Sequence, residues 1–263
     1  MLTILITGAA SGLGKSFVEA YALDPTNTIY AADNSFPSTN TNPSKIFKTH
    51  AHLTQDNINL LDLDVTDSMH VNRIPADVPF DLVIHSAGVR GLNPECEVVD
   101  PAHVARAETL ETTECSVLLD TFEINAIGTF RVLRKVVDIL RGARVQKGSS
   151  RESGGGTTRP LPKVVVMGSR MGSVGGNRSG GAYAYRASKA GLNAIVRSFA
   201  VDVPEVAFVV VHPGRVESGL VPVEEDGAIS AEEAVRDMLP LIEKLEREDS
   251  GRFVDRFGVD IPW

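Results

Sequence analysis

The sequence is poor in cysteine, with only Cys96 and Cys115 among its 263 residues. Two cysteines cannot build the disulfide framework of a small secreted protein, so reduced thiols in a cytosolic protein are the simpler interpretation. The longest apolar run, Val206 to Val211, is far shorter than the roughly 20 residues that cross a bilayer. The first strand-like run begins at Leu2, and we therefore expect no signal or transit peptide.

Basic residues are also in deficit. Lys and Arg total 26 against 34 Asp and Glu, which gives a formal net charge of -8. This balance argues against nucleic acid or an anionic membrane as the main partner. There is no internal repeat of solenoid length, and we predict no metal site. The expectation is a cytoplasmic protein that acts on a small molecule.

Strand-like and helix-like segments alternate along nearly the whole chain. Apolar, β-rich runs predict strands at residues 2–7, 28–32, 58–64, 80–85, 164–167, 206–212 and 252–254. Helical patterns cover residues 14–23, 67–74, 101–112, 115–141 and 231–248, and a further helix carries Tyr185 and runs to about residue 201. This alternation predicts an α/β fold with one doubly wound, Rossmann-like parallel sheet of about seven strands and helices on both faces. No linker interrupts residues 1–263, so we expect a single domain.

Two stretches are predicted to be long loops. Residues 142–163 are rich in Gly, Ser and basic residues, which is typical of a surface excursion. Residues 214–230 are predicted to lie beside the substrate, together with Arg90-Gly91-Leu92 and Arg170-Met171. Arginines there could attract an acidic substrate, but arginines at a surface are common and carry little weight.

A glycine-rich stretch, Thr7 to Gly14, joins the first predicted strand to the first predicted helix. Glycines permit a tight turn and a close backbone approach, and the helix N-terminus presents amide donors to a pyrophosphate. A plain turn is the alternative. The position at the first strand-to-helix junction favours a dinucleotide-binding loop.

Asp33 ends the second predicted strand about twenty residues later. A carboxylate there can accept hydrogen bonds from both ribose hydroxyls and would repel a 2′-phosphate. Ser11 in the loop is neutral and adds no positive charge for a 2′-phosphate, whereas Lys15 just after the loop weakens the case for NAD. We therefore expect NAD, with NADP still possible. Asp64 ends the third strand and either meets the adenine edge or caps the next segment.

Tyr185 and Lys189 lie four residues apart on a predicted helix and therefore share one face. A phenol with a free pKa near 10 is a poor acid–base catalyst at neutral pH, and a neighbouring ammonium stabilises the phenolate. Tyr183 is followed by Ala187 at this spacing and cannot form the pair. A Tyr-x-x-x-Lys pair is frequent by chance, so other motifs must support it.

Together these motifs resemble the short-chain dehydrogenase/reductase family over nearly the whole chain, and its carbonyl-reductase and C-factor-like branch more loosely. The matching motifs are Thr-Gly-x-x-x-Gly-x-Gly from Thr7 to Gly14, Asp64-Val65, Asn125-x-x-Gly128, Tyr185-x-x-x-Lys189 and Pro213-Gly214. The family's Asn-Asn-Ala-Gly is His85-Ser86-Ala87-Gly88 in this chain. Gly168 stands where a second serine is usual, and Arg215 and Ser218 replace a common aromatic residue and threonine.

The resemblance implies a role for each matching residue. Tyr185 is the expected general acid or base, Lys189 its activator, and Ser169 the hydrogen-bond partner of the substrate carbonyl. Asn125 is expected to hold a water that links Lys189 to solvent. The expected cofactor-binding residues are Gly8, Ser11, Gly12, Leu13, Gly14, Asp33, Asp64, Val65, Ser86, Ala87, Gly88, Tyr185, Lys189, Pro213, Gly214, Val216 and Ser218.

The predicted activity is an NAD(P)-dependent interconversion of a carbonyl and a secondary alcohol by hydride transfer. One alternative is a dinucleotide-binding regulatory or signalling protein with incidental turnover. Another is an epimerase or dehydratase that retains its nicotinamide. The resemblance also implies a homodimer or homotetramer formed through residues 115–141 and the Tyr185 helix.

Overall fold

A computed structural model describes residues 1–36, 55–96, 101–148, 160–223 and 226–263. The chain forms one sheet of seven parallel strands in the order β3-β2-β1-β4-β5-β6-β7. The strands are β1 Thr3–Thr7, β2 Thr28–Asp33, β3 Ile58–Asp62, β4 Leu82–His85, β5 Lys163–Met167, β6 Ala207–His212 and β7 Phe253–Asp255. This arrangement confirms the predicted doubly wound α/β sheet.

In the described ranges, helices lie between most consecutive strands and cover both faces of the sheet. The α-helices are α1 Gly12–Ala22, α2 Ser68–Val71, α3 Pro101–Arg106, α4 Cys115–Phe122, α5 Gly128–Gly148, α6 Tyr183–Asp202 and α7 Ala231–Lys244. A π-helical turn, Glu123–Ile127, joins α4 to α5, and short 3-10 turns cover Arg170–Gly172 and Arg247–Asp249. None of the helices in the described ranges combines the length and apolar character needed to span a bilayer.

The core consists of two apolar layers, one on each face of the sheet. On one face, Phe17 of α1 and Met238 of α7 pack against strand residues such as Ile6. On the other face, Leu133 of α5 and Leu192 of α6 pack against residues such as Val166. Because strands buried on both faces need apolar residues at every position, the near-continuous Val and Ile runs predicted these strands correctly.

Several predicted boundaries were wrong for local reasons. The predicted helix 101–112 ends at Arg106, because the Thr112 hydroxyl donates to the Arg106 carbonyl at 2.8 Å and competes with the helical ladder. The predicted helix 231–248 ends at Lys244, where the Lys163 ammonium donates to the Ile242 and Glu243 carbonyls at 3.0 and 2.7 Å.

The two predicted long loops fare differently. Helix α5 continues to Gly148, so residues 142–148 are helical, because one glycine costs too little to end a 21-residue helix. Residues 149–159 of that stretch lie outside the described residues, and Lys163 begins β5. The described part of residues 214–230 contains no helix and none of the seven strands of the sheet. A parallel β-bridge between Val216 and Ile229 joins the two ends of this loop.

Candidate active site

A cleft of about 730 Å³ opens at the carboxyl edge of the sheet, at the junction of β1 and β4. In a doubly wound sheet the connections diverge at this point, which leaves a crevice for a ligand. The predicted site residues that line the cleft are Gly8, Ser11, Leu13, Asp33, Asp64, Val65, Ser86, Ala87, Gly88, Ser169, Tyr185, Lys189, Pro213, Gly214, Val216 and Ser218. Gly12, Gly14 and Asn125 lie behind this lining.

The glycine-rich loop is packed too tightly to accept a side chain at Gly8 or at Gly14. Gly8 has a φ of +68°, and a Cβ there would lie 2.8 Å from the Ala87 amide nitrogen. A Cβ on Gly14 would overlap the Gly8 carbonyl. Helix α1 starts directly at Gly12, and within the described chain the Ser11 side chain caps none of its first-turn amides. The loop therefore presents bare backbone and helix N–H groups, the surface that a pyrophosphate requires.

The Asp33 carboxylate is held at the cleft edge by three hydrogen bonds. It accepts from the Ser35 amide and hydroxyl at 2.9 and 2.7 Å, and from the Ala10 amide at 3.2 Å. The Ala10 contact ties the end of β2 to the glycine-rich loop. Lys15 instead contacts Glu19, its neighbour one helical turn further along α1, at 3.7 Å.

The Asp64-Val65 and Asn125-x-x-Gly128 motifs meet in space. A Cβ on Gly128 would lie 2.7 Å from Val65 Cγ2, so the glycine makes room for this valine. Asp64 Oδ1 accepts from the amide and the hydroxyl of Thr66 at 2.8 and 2.7 Å. Asp64 therefore closes a local turn after β3 and lines the cleft, whereas the N-cap of the next helix, α2, is Asp67, whose carboxylate accepts from the Met69 amide at 2.7 Å. The contact of Asp64 with the adenine edge stays a prediction.

Tyr185 and Lys189 lie side by side on α6, both nearly buried. The Lys189 ammonium lies 5.8 Å from the centroid of the Tyr185 ring and donates to the Met167 carbonyl at 2.9 Å. Burial lowers the pKa of Lys189 from 10.5 to about 8. The ammonium therefore still carries its charge at neutral pH, beside the phenol.

Ser169 follows β5 and faces the same cleft. Its hydroxyl oxygen accepts from the Met171 amide at 3.2 Å, which leaves the hydroxyl hydrogen available for another acceptor. The long interval between Ser169 and Tyr185 folds back tightly, since a Cβ on Gly172 would lie 2.8 Å from the Lys189 backbone. This folding of the interval keeps Ser169 beside the cleft.

Asn125 is fully buried in the π-helical turn. Its amide nitrogen donates to the Val89 carbonyl at 2.8 Å and to the Ser188 hydroxyl at 2.9 Å, and its side-chain oxygen accepts from the Val89 amide at 2.8 Å. This side chain fastens the segment after β4 to α6. The expected water link to Lys189 stays a prediction.

His85 stands where the family has the first of two asparagines, and its ring makes hydrogen bonds on both sides. Its Nδ1 lies 2.8 Å from the Thr7 hydroxyl and its Nε2 lies 3.0 Å from the Thr129 hydroxyl. Burial, and then the charge of Lys189, lower its pKa to about 3, so the ring is neutral. Because the Thr129 hydroxyl donates to the Asn125 carbonyl at 2.6 Å, it must accept from Nε2–H.

The Thr7 hydroxyl then donates to Nδ1 and accepts from the Ser86 and Ala87 amides at 3.2 and 3.4 Å. One directed chain of hydrogen bonds thus links the glycine-rich loop to the π-helical turn. His85 is buried and structural, as a histidine at a strand end usually is.

Sequence reasoning missed three residues at the site, Thr129, Ser188 and Glu108, and it missed the contact of Arg90 with the Tyr185 ring. The two hydroxyl residues bind Asn125 and His85, and Arg90 stacks on Tyr185 while paired with Glu108. No motif contains Thr129 or Glu108. Ser188 lies inside the Tyr-x-x-x-Lys run and could have been suspected from its position before Lys189.

Comparison with known proteins supports the resemblance found in the sequence. The profile of the family described as short chain dehydrogenase matches residues 2–227. The chain is 38% identical over 187 residues to "C-signal" of Myxococcus xanthus, covering 70% of this chain and 93% of that protein.

Solved structures show the same fold. The carbonyl reductase Sniffer of D. melanogaster is similar over 100% of both chains, with a TM-score of 0.73 and 24% identity. The NADPH-bound carbonyl reductase from chicken fatty liver is similar over 100% of this chain and 94% of its own, with a TM-score of 0.76 and 22% identity.

Gly168 yields the first prediction. A Cβ there would overlap Val210 Cγ1 on the neighbouring strand, and valine cannot swing aside. Gly168→Ser should lower the free energy of unfolding by about 1–3 kcal/mol in urea denaturation. Val210→Ala, which vacates the space, should recover part of this loss, so that the double variant is more stable than the sum of the single effects predicts. Additive effects would contradict the packing argument.

Burial of Lys189 yields a second prediction. The native pKa of about 8 lies below the ordinary 10.5, so burial penalises the native state fully below pH 8 and less as the pH rises towards 10.5. Lys189→Met should raise the free energy of unfolding by on the order of 1–3 kcal/mol at pH 7. The gain should shrink between pH 8 and 10.5 in urea titrations. Lys15→Met, at an exposed position, should show neither effect.

Proposed function

Because the chain belongs to the short-chain dehydrogenase family, we propose that it is an NAD(P)-dependent oxidoreductase that interconverts a carbonyl and a secondary alcohol. The observation that carries this proposal is the Tyr185–Lys189 pair, which lines one cleft together with Ser169 and the glycine-rich loop. An acid–base group, a hydrogen-bond donor for an oxygen atom and a dinucleotide loop thus share one cavity.

The residues present fit a nicotinamide dinucleotide. The loop from Gly8 to Gly14 leaves room and N–H donors for the pyrophosphate, and Asp33 would hold the adenosine ribose. Val65 and Ala87 supply apolar walls, and Lys189 would hold the second ribose. When bound, the dinucleotide supplies or accepts the hydride. Pro213, Gly214, Val216 and Ser218 would contact the nicotinamide end.

The protein itself handles the proton and the developing charge. In the reductive direction the Tyr185 hydroxyl gives its proton to the carbonyl oxygen, and in the oxidative direction the phenolate takes it back. The charged Lys189 stabilises that phenolate, which a phenol at neutral pH otherwise forms poorly. The hydroxyl hydrogen of Ser169, left available by the Met171 amide, stabilises negative charge on the same oxygen.

NAD is the preferred cofactor in this proposal. The Asp33 carboxylate is fixed at the end of β2, where it suits two ribose hydroxyls and opposes a 2′-phosphate. The Lys15 ammonium contacts the Glu19 carboxylate one helical turn further along α1, at 3.7 Å. The related chicken enzyme holds NADPH, so the preference rests on Asp33 of this chain alone.

A second candidate function is a dinucleotide-binding signalling protein in which turnover is incidental. The similarity to a protein named "C-signal" favours it. Binding of NADH without turnover on any member of a broad carbonyl and alcohol panel would support this candidate. An epimerase or dehydratase that retains its nicotinamide would instead convert substrate without net oxidation of added NADH.

The proposed mechanism predicts the behaviour of two matched variants. Tyr185→Phe keeps the ring but removes the proton donor, so kcat should fall by about 10²- to 10⁴-fold on a carbonyl that the wild type reduces. The dissociation constant for NADH should stay within about twofold. Tyr183→Phe makes the same change two residues away, at a 40% exposed position, and should keep normal turnover. Near-normal turnover of Tyr185→Phe would show the mechanism to be wrong.

The cofactor preference predicts the nucleotide affinities of two further variants. Wild-type protein should bind NADH more tightly than NADPH in a fluorescence titration. Asp33→Ser should remove the repulsion and improve NADPH affinity by about tenfold or more relative to NADH, equivalent to about 1.4 kcal/mol. Lys15→Ala tests the competing phosphate ligand and should leave NADPH affinity unchanged. Tighter NADPH binding by the wild type, lost in Lys15→Ala, would reverse the assignment.

A further inference from the structure

Arg90 lies directly over the residue assigned to proton transfer. Its guanidinium carbon is 4.7 Å from the centroid of the Tyr185 ring, closer than the Lys189 ammonium at 5.8 Å. The side chain of Arg90 is only 17% exposed. A guanidinium stacked on an aromatic face at this distance is an attractive contact that also fixes the plane of the ring.

Glu108 holds the guanidinium in that orientation. Arg90 Nε donates to one carboxylate oxygen at 2.6 Å and Nη2 donates to the other at 2.9 Å. The Glu108 side chain is 7% exposed, and a carboxylate this deeply buried requires such a two-point partner. Two of the donors of Arg90 are thereby committed to the protein itself.

Both ends of the pair are anchored to the catalytic elements. The Glu108 carbonyl accepts from the Ala182 amide at 2.8 Å, and Ala182, with a φ of +48°, immediately precedes α6. On the other side, Asn125 binds both the amide and the carbonyl of Val89, the neighbour of Arg90. The pair therefore bridges the segment after β4 and the start of the tyrosine helix.

We propose that Arg90 and Glu108 form a positioning pair for Tyr185, in which Arg90 fixes the ring and adds positive charge while Glu108 holds Arg90 and moderates that charge. The inference rests on the proposed function, because it concerns the residue that moves the proton. It assigns the Asn125 side chain a related task, since that amide anchors the segment that carries Arg90.

The pair makes a prediction that pure packing does not. Among the residues that the structure describes, Arg90, Glu108, Lys189 and Arg186 are charged groups close to Tyr185. Burial lowers the pKa of Arg186, and the charges of Arg90 and Glu108 also act on it. Removing Arg90 leaves Glu108 negative and disfavours the phenolate. Neutralising Glu108 leaves Arg90 positive and favours it. The two changes must therefore move the pH profile in opposite directions.

The experiment measures kcat, KM and the pH dependence of kcat/KM for reduction and oxidation of one carbonyl–alcohol pair. For Arg90→Met we expect kcat to fall by about tenfold or more, with the limb assigned to Tyr185 moved to higher pH by roughly 0.5. For Glu108→Gln we expect the same limb to move to lower pH. Arg90→Lys should restore part of kcat, since it keeps the charge and loses the planar stack.

Controls separate the possible failures. Arg141→Met breaks an exposed Arg–Glu pair, with Glu205 at 2.9 Å, and should leave the pH profile unchanged. If Arg90→Met does not fold because Glu108 is unpaired, Arg90→Met combined with Glu108→Leu removes both charges and should fold with low kcat and a profile near that of the wild type.

Shifts in the same direction, or wild-type kcat in Arg90→Met, would overturn the positioning pair while leaving the proposed function intact if Tyr185→Phe is inactive. An active Tyr185→Phe would overturn the proposed function itself.

Discussion

The candidate active site depends on keeping one ammonium charged although its side chain is almost fully buried. Lys189 is 5% exposed, and burial lowers its pKa to about 8, close to the point at which it would lose its charge at neutral pH. The Met167 carbonyl at the end of β5 accepts a hydrogen bond from it at 2.9 Å. The surrounding elements position this charge against Tyr185, and the destabilisation is offset by the two apolar layers of the sheet.

The departures from the usual family motifs have local compensations. His85 replaces an asparagine, yet as a neutral ring it joins Thr7 to Thr129 and so connects the glycine-rich loop with the π-helical turn. Gly168 replaces a serine because Val210 fills the space that a side chain would need. These substitutions alter the scaffold around the Tyr185–Lys189 pair and leave the pair itself in place.

The cleft also shows why a lone charged residue is hard to interpret from sequence. Arg90 looked like one of several surface arginines, but it is stacked on Tyr185 and paired with a buried carboxylate. Lys15 weakened the case for NAD, and the structure places its ammonium 3.7 Å from Glu19 along its own helix. For Arg90 the partner decides the role, and the Glu108 that holds it is eighteen residues away along the chain.

The sequence by itself determined the features that depend on local pattern. Buried parallel strands require apolar runs, a tight loop requires glycine, and residues four apart share a helix face, so the sheet, the loop at Gly8 to Gly14 and the Tyr185–Lys189 pair were all predictable. The resemblance to the family, now confirmed, added the expected role of Ser169, while Asp33 was predicted from its position at the end of the second strand.

Only the tertiary structure decided which distant side chains meet. It showed Asn125 bound to Val89 and Ser188, His85 between two threonines, and Glu108 holding Arg90 on the tyrosine ring. These contacts join residues from separate strands and helices. Their geometry follows from how the elements pack across the sheet, which no local spacing in the chain encodes.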